Sequence, residues 1–205
     1  MAGPGDTMNE KPIVVAMTGA SGSPYGLKLV NTLAELGHKV CFVVSDHARV
    51  VLKEELDQDF SSVKHPNITF MDYYDIAAPI SSGSFQTRGM IICPCSMSTL
   101  GEIANGITRN LIARAADVTI KEGRKLLVVP REMPFSPIHL ENMLKLSKIG
   151  VTIMPAAPGF YHQPKSVEDL ITFVAGKILD HFGIEHELFK RWGQDDFNLE
   201  KLKSL

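Results

Sequence analysis

Met17-Thr18-Gly19-Ala20-Ser21-Gly22-Ser23-Pro24-Tyr25-Gly26 decides the fold. Before it stands an apolar run, Ile13-Val14-Val15-Ala16, that reads as a short buried strand. After it comes an amphipathic run, Leu27 to Leu36, that reads as a helix stopping at Gly37. Strand, glycine-rich turn and helix present backbone N–H groups to a phosphate or another anion. Gly19, Gly22 and Gly26 allow a sharp turn and a close ligand, and Pro24 suits a first helical turn. The alternative is a tight strand–helix connection with no ligand.

The rest of the chain repeats this alternation. Val40–Val44 is a second apolar strand, closed by Ser45-Asp46, which can cap a helix from Ala48 to Leu56. Residues 57–67 read as a loop and Ile68–Phe70 as a short strand. Ala77 to Ser84 is a small-residue stretch whose serines and glycine either donate to an anion or form a plain surface loop. Gly89–Cys95 is a buried strand running into Ser96-Met97-Ser98-Thr99, a hydroxyl-rich start for a helix that ends near Gly106. A helix from Asn110 to Asp117, a strand Leu126–Val129 and a helix from Ser136 to Gly150 follow. A strand Val151–Met154 leads into a proline-rich loop, and a last helix opens at Ser166 and closes at Gly183. Continuous apolar strands between helices predict an α/β protein of three layers, a mostly parallel central sheet covered on both faces. One domain is expected over residues 12–192, with a disordered leader over 1–11 and a tail over 193–205.

Composition narrows the function. The 205 residues are 44% hydrophobic and carry a formal charge of −2, so no basic footprint for nucleic acid or an anionic membrane exists. No apolar run nears the ~20 residues of a membrane span. Three cysteines without a C-x-x-C spacing argue for reduced, buried thiols and a cytoplasmic setting. A dinucleotide dehydrogenase is the obvious guess for the opening turn, but Ser21 stands where G-x-G-x-x-G wants its second glycine. Tyr161-x-x-x-Lys165 copies a dehydrogenase dyad in spacing only, because Pro155, Pro158 and Pro164 make that stretch a loop. The seven histidines share no ligand spacing, and no aspartate cluster suggests magnesium.

Ser21, Ser45, Ser96 to Thr99 and Arg131-Glu132 fall at the carboxyl ends of the inferred strands, and Tyr161 follows the last one. Hydroxyls and helix starts suit one phosphate. Arg131, with Lys121 and Lys177, suits a second anion. Glu132 either passes a proton to a leaving phosphate or simply pairs with Arg131.

Six motifs in order resemble the UbiX/Pad1 family of flavin prenyltransferases. They are Thr18-Gly19-Ala20-Ser21-Gly22, Ser81-Ser82-Gly83-Ser84, Cys93-Pro94-Cys95-Ser96, Arg114-Ala115-Ala116-Asp117, Val129-Pro130-Arg131-Glu132 and Pro158-Gly159-Phe160-Tyr161-His162. The resemblance runs from about Ile13 to Trp192. It implies a three-layer Rossmann-like flavoprotein fold, a homo-oligomer (a dodecamer built of trimers) with sites shared between subunits, and no metal. It also implies transfer of dimethylallyl from dimethylallyl phosphate to N5 and C6 of reduced FMN, yielding the cofactor of UbiD-type decarboxylases. Gly19, Ala20, Ser21, Ser45, Ser96, Met97, Ser98, Thr99 and Arg131 match FMN-contacting positions. Ser82, Gly83, Arg114, Lys121, Arg131, Glu132, Tyr161 and Lys177 match positions around dimethylallyl phosphate. Ser21 and Glu55 match a proton-handling pair near flavin N5, and Glu132 matches the acid/base at the phosphate. Some members carry tryptophan where Ile76 stands and arginine where Lys177 stands. The first removes an aromatic wall; the second keeps the charge but not the bidentate fork.

Overall fold

The computed structural model describes residues 11–192, which divide into two compact units, one up to Ala156 and one from Ala157. The expected leader, apart from Lys11, and the expected tail lie outside the described residues.

The first unit is a six-stranded sheet with helices on both faces. Its elements are β1 (Ile13–Met17), α1 (Ser23–Glu35), β2 (Val40–Val44), α2 (Asp46–Leu56), β3 (Ile68–Met71), β4 (Gly89–Cys95), α3 (Met97–Ala104), α4 (Leu111–Lys121), β5 (Lys125–Pro130), α5 (Pro137–Lys148) and β6 (Thr152–Ile153). The strand order is β3-β2-β1-β4-β5-β6 and every pairing is parallel. Strands β1, β2 and β4 are buried along their whole length, which is why they read as unbroken apolar runs. Side chains of one parity, among them Val14, Ala16, Val43 and Ile92, meet α3, α4 and α5 through Leu100, Leu111, Ile112 and Leu146. Each such aliphatic side chain contributes roughly 1.5–3 kcal/mol when fully buried. On the opposite face Gly26 brings α1 against Met17 and the Cys93 carbonyl, where a Cβ would overlap the carbonyl oxygen. Phe42 packs on Phe60 and Phe70, with ring centroids 5.9 and 5.2 Å apart.

Several boundaries differ from expectation for local reasons. α1 begins at Ser23, four residues early, because Pro24 fits the first turn and lacks the N–H that would go unbonded there. Gly22 precedes it at φ +106°, a conformation that favours glycine. α2 starts at Asp46, with the Ser45 hydroxyl accepting from Ala48 N at 3.2 Å. Short 3-10 turns, Phe60–Ser62 and Pro79–Ser81, lie inside stretches read as loop. β6 is only two residues long. On α5 only Leu146 is fully buried, while Ile138, Leu140 and Leu144 are exposed among the described residues.

The second unit contains α6 (Val167–His181), opened by a capping box in which Ser166 and Asp169 satisfy each other's backbone amides. At its far end Asp180 receives Arg191 in a two-pronged contact of 2.7 and 3.0 Å and His186 at 3.1 Å. Gly176 lets Phe189 and His186 close on the helix, where a Cβ would come within 2.5 and 2.8 Å of their rings.

Candidate active site

β1 has β2 on one side and β4 on the other, so the chain's winding reverses between β1 and β4. Open parallel sheets form a crevice beyond the carboxyl ends of such neighbours. Thr18, just past β1, is 2% exposed and ties the two strands together. Its hydroxyl accepts from Ser96 N at 2.7 Å and donates to the Pro94 carbonyl at 3.2 Å.

The glycine-rich turn borders this crevice, but its Gly22 and Ser23 amides are already used. The Glu55 carboxylate, reaching across from α2, accepts from Gly22 N at 2.9 and 3.1 Å and from Ser23 N at 2.8 Å. It thereby supplies the anion at the α1 N-terminus, a place the sequence reading offered to a phosphate. Partial burial pushes the Glu55 pKa up. Hydrogen bonds from the Ser21 hydroxyl, the Gly22 and Ser23 amides and the Ser23 hydroxyl outweigh it and hold the carboxyl below its ordinary value. Ser21 and Glu55, distant in sequence, are thus joined. Gly19 is packed against His47, which leaves no room for a Cβ, and Ala20 is buried.

The α3 start is more open to an anion. The Ser96 hydroxyl caps Thr99 N at 3.3 Å and bonds Thr99 Oγ1 at 3.1 Å. The amides of Met97 and Ser98 have no partner among the described residues, and the Ser98 side chain is exposed. Arg131 N bonds the Cys95 carbonyl at 3.3 Å, and the Arg131 guanidinium turns to the Ser21 carbonyl at 3.2 Å. Arg131 therefore bridges the end of β5 to the glycine-rich turn. Among the described residues it makes no ion pair with Glu132, whose carboxylate is exposed and accepts only from Met133 N at 3.1 Å. Ser45, 6% exposed, hydrogen-bonds Met17 O through its amide and caps α2 with its hydroxyl.

A second polar group gathers along α4. Leu111 N bonds the Tyr73 carbonyl at the start of that helix, Arg114 Nε bonds the Ser81 carbonyl at 3.1 Å, and Arg124 bonds the Gly83 and Phe85 carbonyls just past its end. The chain from Tyr73 to Phe85 therefore runs down the helix to the amino ends of β4 and β5. There Ser82 and Ser84 share a hydroxyl hydrogen bond of 2.9 Å. Lys121 pairs with Glu122 at 2.6 Å, and its Nζ would lie 2.9 Å from a Cβ on Gly83. Arg114 also pairs with Asp117 at 3.3 Å. The six residues of β5 separate this cluster from Arg131, a length of roughly 17 Å at about 3.3 Å per residue. The chain does not bring Lys121 to Arg131.

Tyr161 and Lys177 belong to the second unit. Tyr161 is packed edge-on against Phe173 and Trp192, and Lys177 lies 3.7 Å from Asp180. Burial raises the Cys41 thiol to about 11 and Cys95 to about 12, and pushes the Cys93 thiol up as well, so none is a nucleophile near neutral pH. Among the described residues no three His, Cys, Asp or Glu side chains group as a metal site. No described helix is long and apolar enough to cross a membrane. The sequence reading passed over two contributors, Thr18 and Arg124. Thr18 sits inside the opening motif and Arg124 beside Lys121, but only the fold reveals what they hold.

The Flavoprotein family model matches residues 2–179. The flavin prenyltransferase UbiX of Halalkalibacterium halodurans is 52% identical over 195 residues, covering 90% of this chain and 94% of that protein. A crystal structure of AnUbiX in complex with FMN and dimethylallyl pyrophosphate superposes with a TM-score of 0.86 at 43% identity, covering 89% of this chain and 97% of that one. A dodecameric FMN-dependent UbiX-like decarboxylase from Escherichia coli O157:H7 gives a TM-score of 0.85 at 45% identity, covering 88% and 98%.

Proposed function

We infer that this chain, which belongs to the Flavoprotein family and within it to the UbiX/Pad1 flavin prenyltransferases, joins the dimethylallyl group of dimethylallyl phosphate to N5 and C6 of reduced FMN and releases phosphate. The prenylated FMN would serve a UbiD-type decarboxylase. The observation that carries this reading is the Ser21–Glu55 pair at the lip of the crevice closed by Thr18 and Ser96.

The residues present fit FMN. The crevice lies at the reversal point of the sheet, and the unpartnered Met97 and Ser98 amides, the Ser98 hydroxyl and Arg131 form a donor set for a phosphate monoester. When bound and reduced, FMN supplies the electron-rich ring that captures an allylic carbon. Around it the chain does the rest. A hydroxyl that gives its proton to a carboxylate keeps its lone pairs for an incoming N–H, so Ser21, donating to an ionised Glu55, is prepared to accept a proton. Arg131 and Lys121 neutralise the substrate phosphate, and Glu132, free of Arg131, protonates it on departure and later accepts the ring proton. Tyr161 and Lys177 are assigned to the same substrate by their motif. The assignment needs no metal.

Lys121, Ser82 and Gly83 lie at the opposite end of the strands from Arg131 and Glu132, with Arg114 about 10 Å before Lys121 along α4. Both groups reach one substrate only if a second copy supplies one of them. That supports a homo-oligomer with shared sites, for which the exposed Ile138, Leu140 and Leu144 of α5 offer contact area, and a dodecamer is the assembly we propose. A cytoplasmic setting completes the proposal.

The decisive assay mixes the full-length protein with reduced FMN and dimethylallyl phosphate without oxygen and weighs the flavin. The expected product is heavier by one C5H8 unit. Bound FMN with no such gain overturns the reading, and decarboxylation of an aromatic acid by this chain alone supports the activity in the E. coli relative's description.

A further inference from the structure

The turn between Pro158 and Pro164 is held under strain at two adjacent residues. Both ring nitrogens of His162 are buried without a hydrogen-bond partner, and no other described side chain is in that position. Beside it Gln163 takes φ +55°, in the left-handed region that costs a side chain free energy, while its amide bonds the Phe160 carbonyl. The imidazole lies flat on Phe173, with centroids 4.8 Å apart and planes within 5°, and edge-on to Tyr161 at 5.8 Å. Phenylalanine would make the same stack with no desolvated nitrogens. Asp169 is close enough to interact with the imidazole through its charge but makes no hydrogen bond to it, and its Oδ2 accepts from the Lys165 and Ser166 amides.

Pro158 and Pro164, each with φ fixed by its ring, flank the five residues between them. Those residues include Phe160 and Tyr161, both exposed to solvent. A ligand shifts a conformational equilibrium by no more than its differential affinity for the two states, and strain in the unbound state narrows that gap.

We propose that His162 is a positioning residue for Tyr161. The Pro158–Pro164 turn relaxes as dimethylallyl phosphate binds, the imidazole gains a hydrogen-bond partner, and the Tyr161 ring is carried onto the substrate. The proposal rests on the assignment of Tyr161 to the dimethylallyl phosphate site.

The test compares full-length wild type, His162→Phe, Gln163→Gly and Tyr161→Phe by thermal melting, FMN binding and anaerobic kinetics with dimethylallyl phosphate. His162→Phe and Gln163→Gly each remove strain from the unbound form. Both are expected to melt higher than wild type and to raise KM for dimethylallyl phosphate by roughly 3–10-fold, with kcat and FMN affinity little changed. A purely structural histidine would leave KM alone. Lower melting or failure to fold for His162→Phe overturns the proposal, and so does an unchanged KM in both strain-relieving variants. If Tyr161→Phe leaves KM unchanged, the substrate assignment itself falls; if it alone raises KM, the assignment stands and the positioning role falls.

Discussion

Thr18 closes the crevice with one hydroxyl that accepts from the Ser96 amide and donates to the Pro94 carbonyl; that carbonyl also accepts from Thr18 N at 3.1 Å, so loss of the hydroxyl strands the Ser96 amide alone. Thr18→Val, close to isosteric, is expected to destabilise the protein by about 1–3 kcal/mol through the stranded Ser96 amide. At roughly 2–4 °C per kcal/mol for a chain of this size, the melting temperature falls measurably, and FMN binding weakens with it. Glu55 makes a pH-dependent contribution of definite sign. Its pKa is depressed on folding, so its stabilisation is fully present above the unfolded carboxylate value, about 4.3, and is lost as pH falls through the lower folded value. The melting temperature of wild type should therefore exceed that of Glu55→Gln by a constant margin near neutrality. That margin should shrink below about pH 4.3; one independent of pH counts against the assignment. Neither role is written in local sequence. Local sequence leaves Glu55 open at the end of α2 and the family resemblance alone pairs it with Ser21; the α1–α2 packing brings it to Gly22, 33 residues away.

At the scale of elements, the strand–turn–helix units read well because each carries its signal within itself. Apolar runs mark β1, β2, β4 and β5, and Ser45, Ser96, Ser136 and Ser166 mark helix starts, each serving as a cap. The elements that escaped were two short 3-10 turns, set by neighbours rather than by period, while β6 is a two-residue remnant of the expected Val151–Met154 strand. α1 depends on one glycine for its approach to the sheet. Gly26→Ala would push a methyl group into the Cys93 carbonyl, backbone that cannot swing aside, so about 3 kcal/mol of destabilisation is expected. A melting curve decides this, and a variant as stable as wild type would mean that α1 has room to retreat.

For the whole molecule, the separation of the two polar clusters by the length of β5 makes a prediction about assembly. Lys121→Ala and Glu132→Gln should each be nearly inactive alone. Co-assembled in equal amounts, they should regain about a quarter of wild-type activity, the fraction of shared sites that draw an intact group from each copy by random assortment. No recovery would mean that each chain builds its own site. From the sequence alone followed the layered α/β architecture, the parallel order of burial and the family, because apolar periodicity, caps and contiguous motifs are local properties of the chain. The candidate residues could likewise be named one by one. Tertiary structure alone decided which of them meet: that Glu55 rather than a phosphate takes the α1 amides, that Arg131 turns to Ser21 and leaves Glu132 free, and that Lys121 lies at the far end of the sheet. Such pairings depend on the positions of groups many residues apart, which are determined only when the sheet sets the order and direction of its strands.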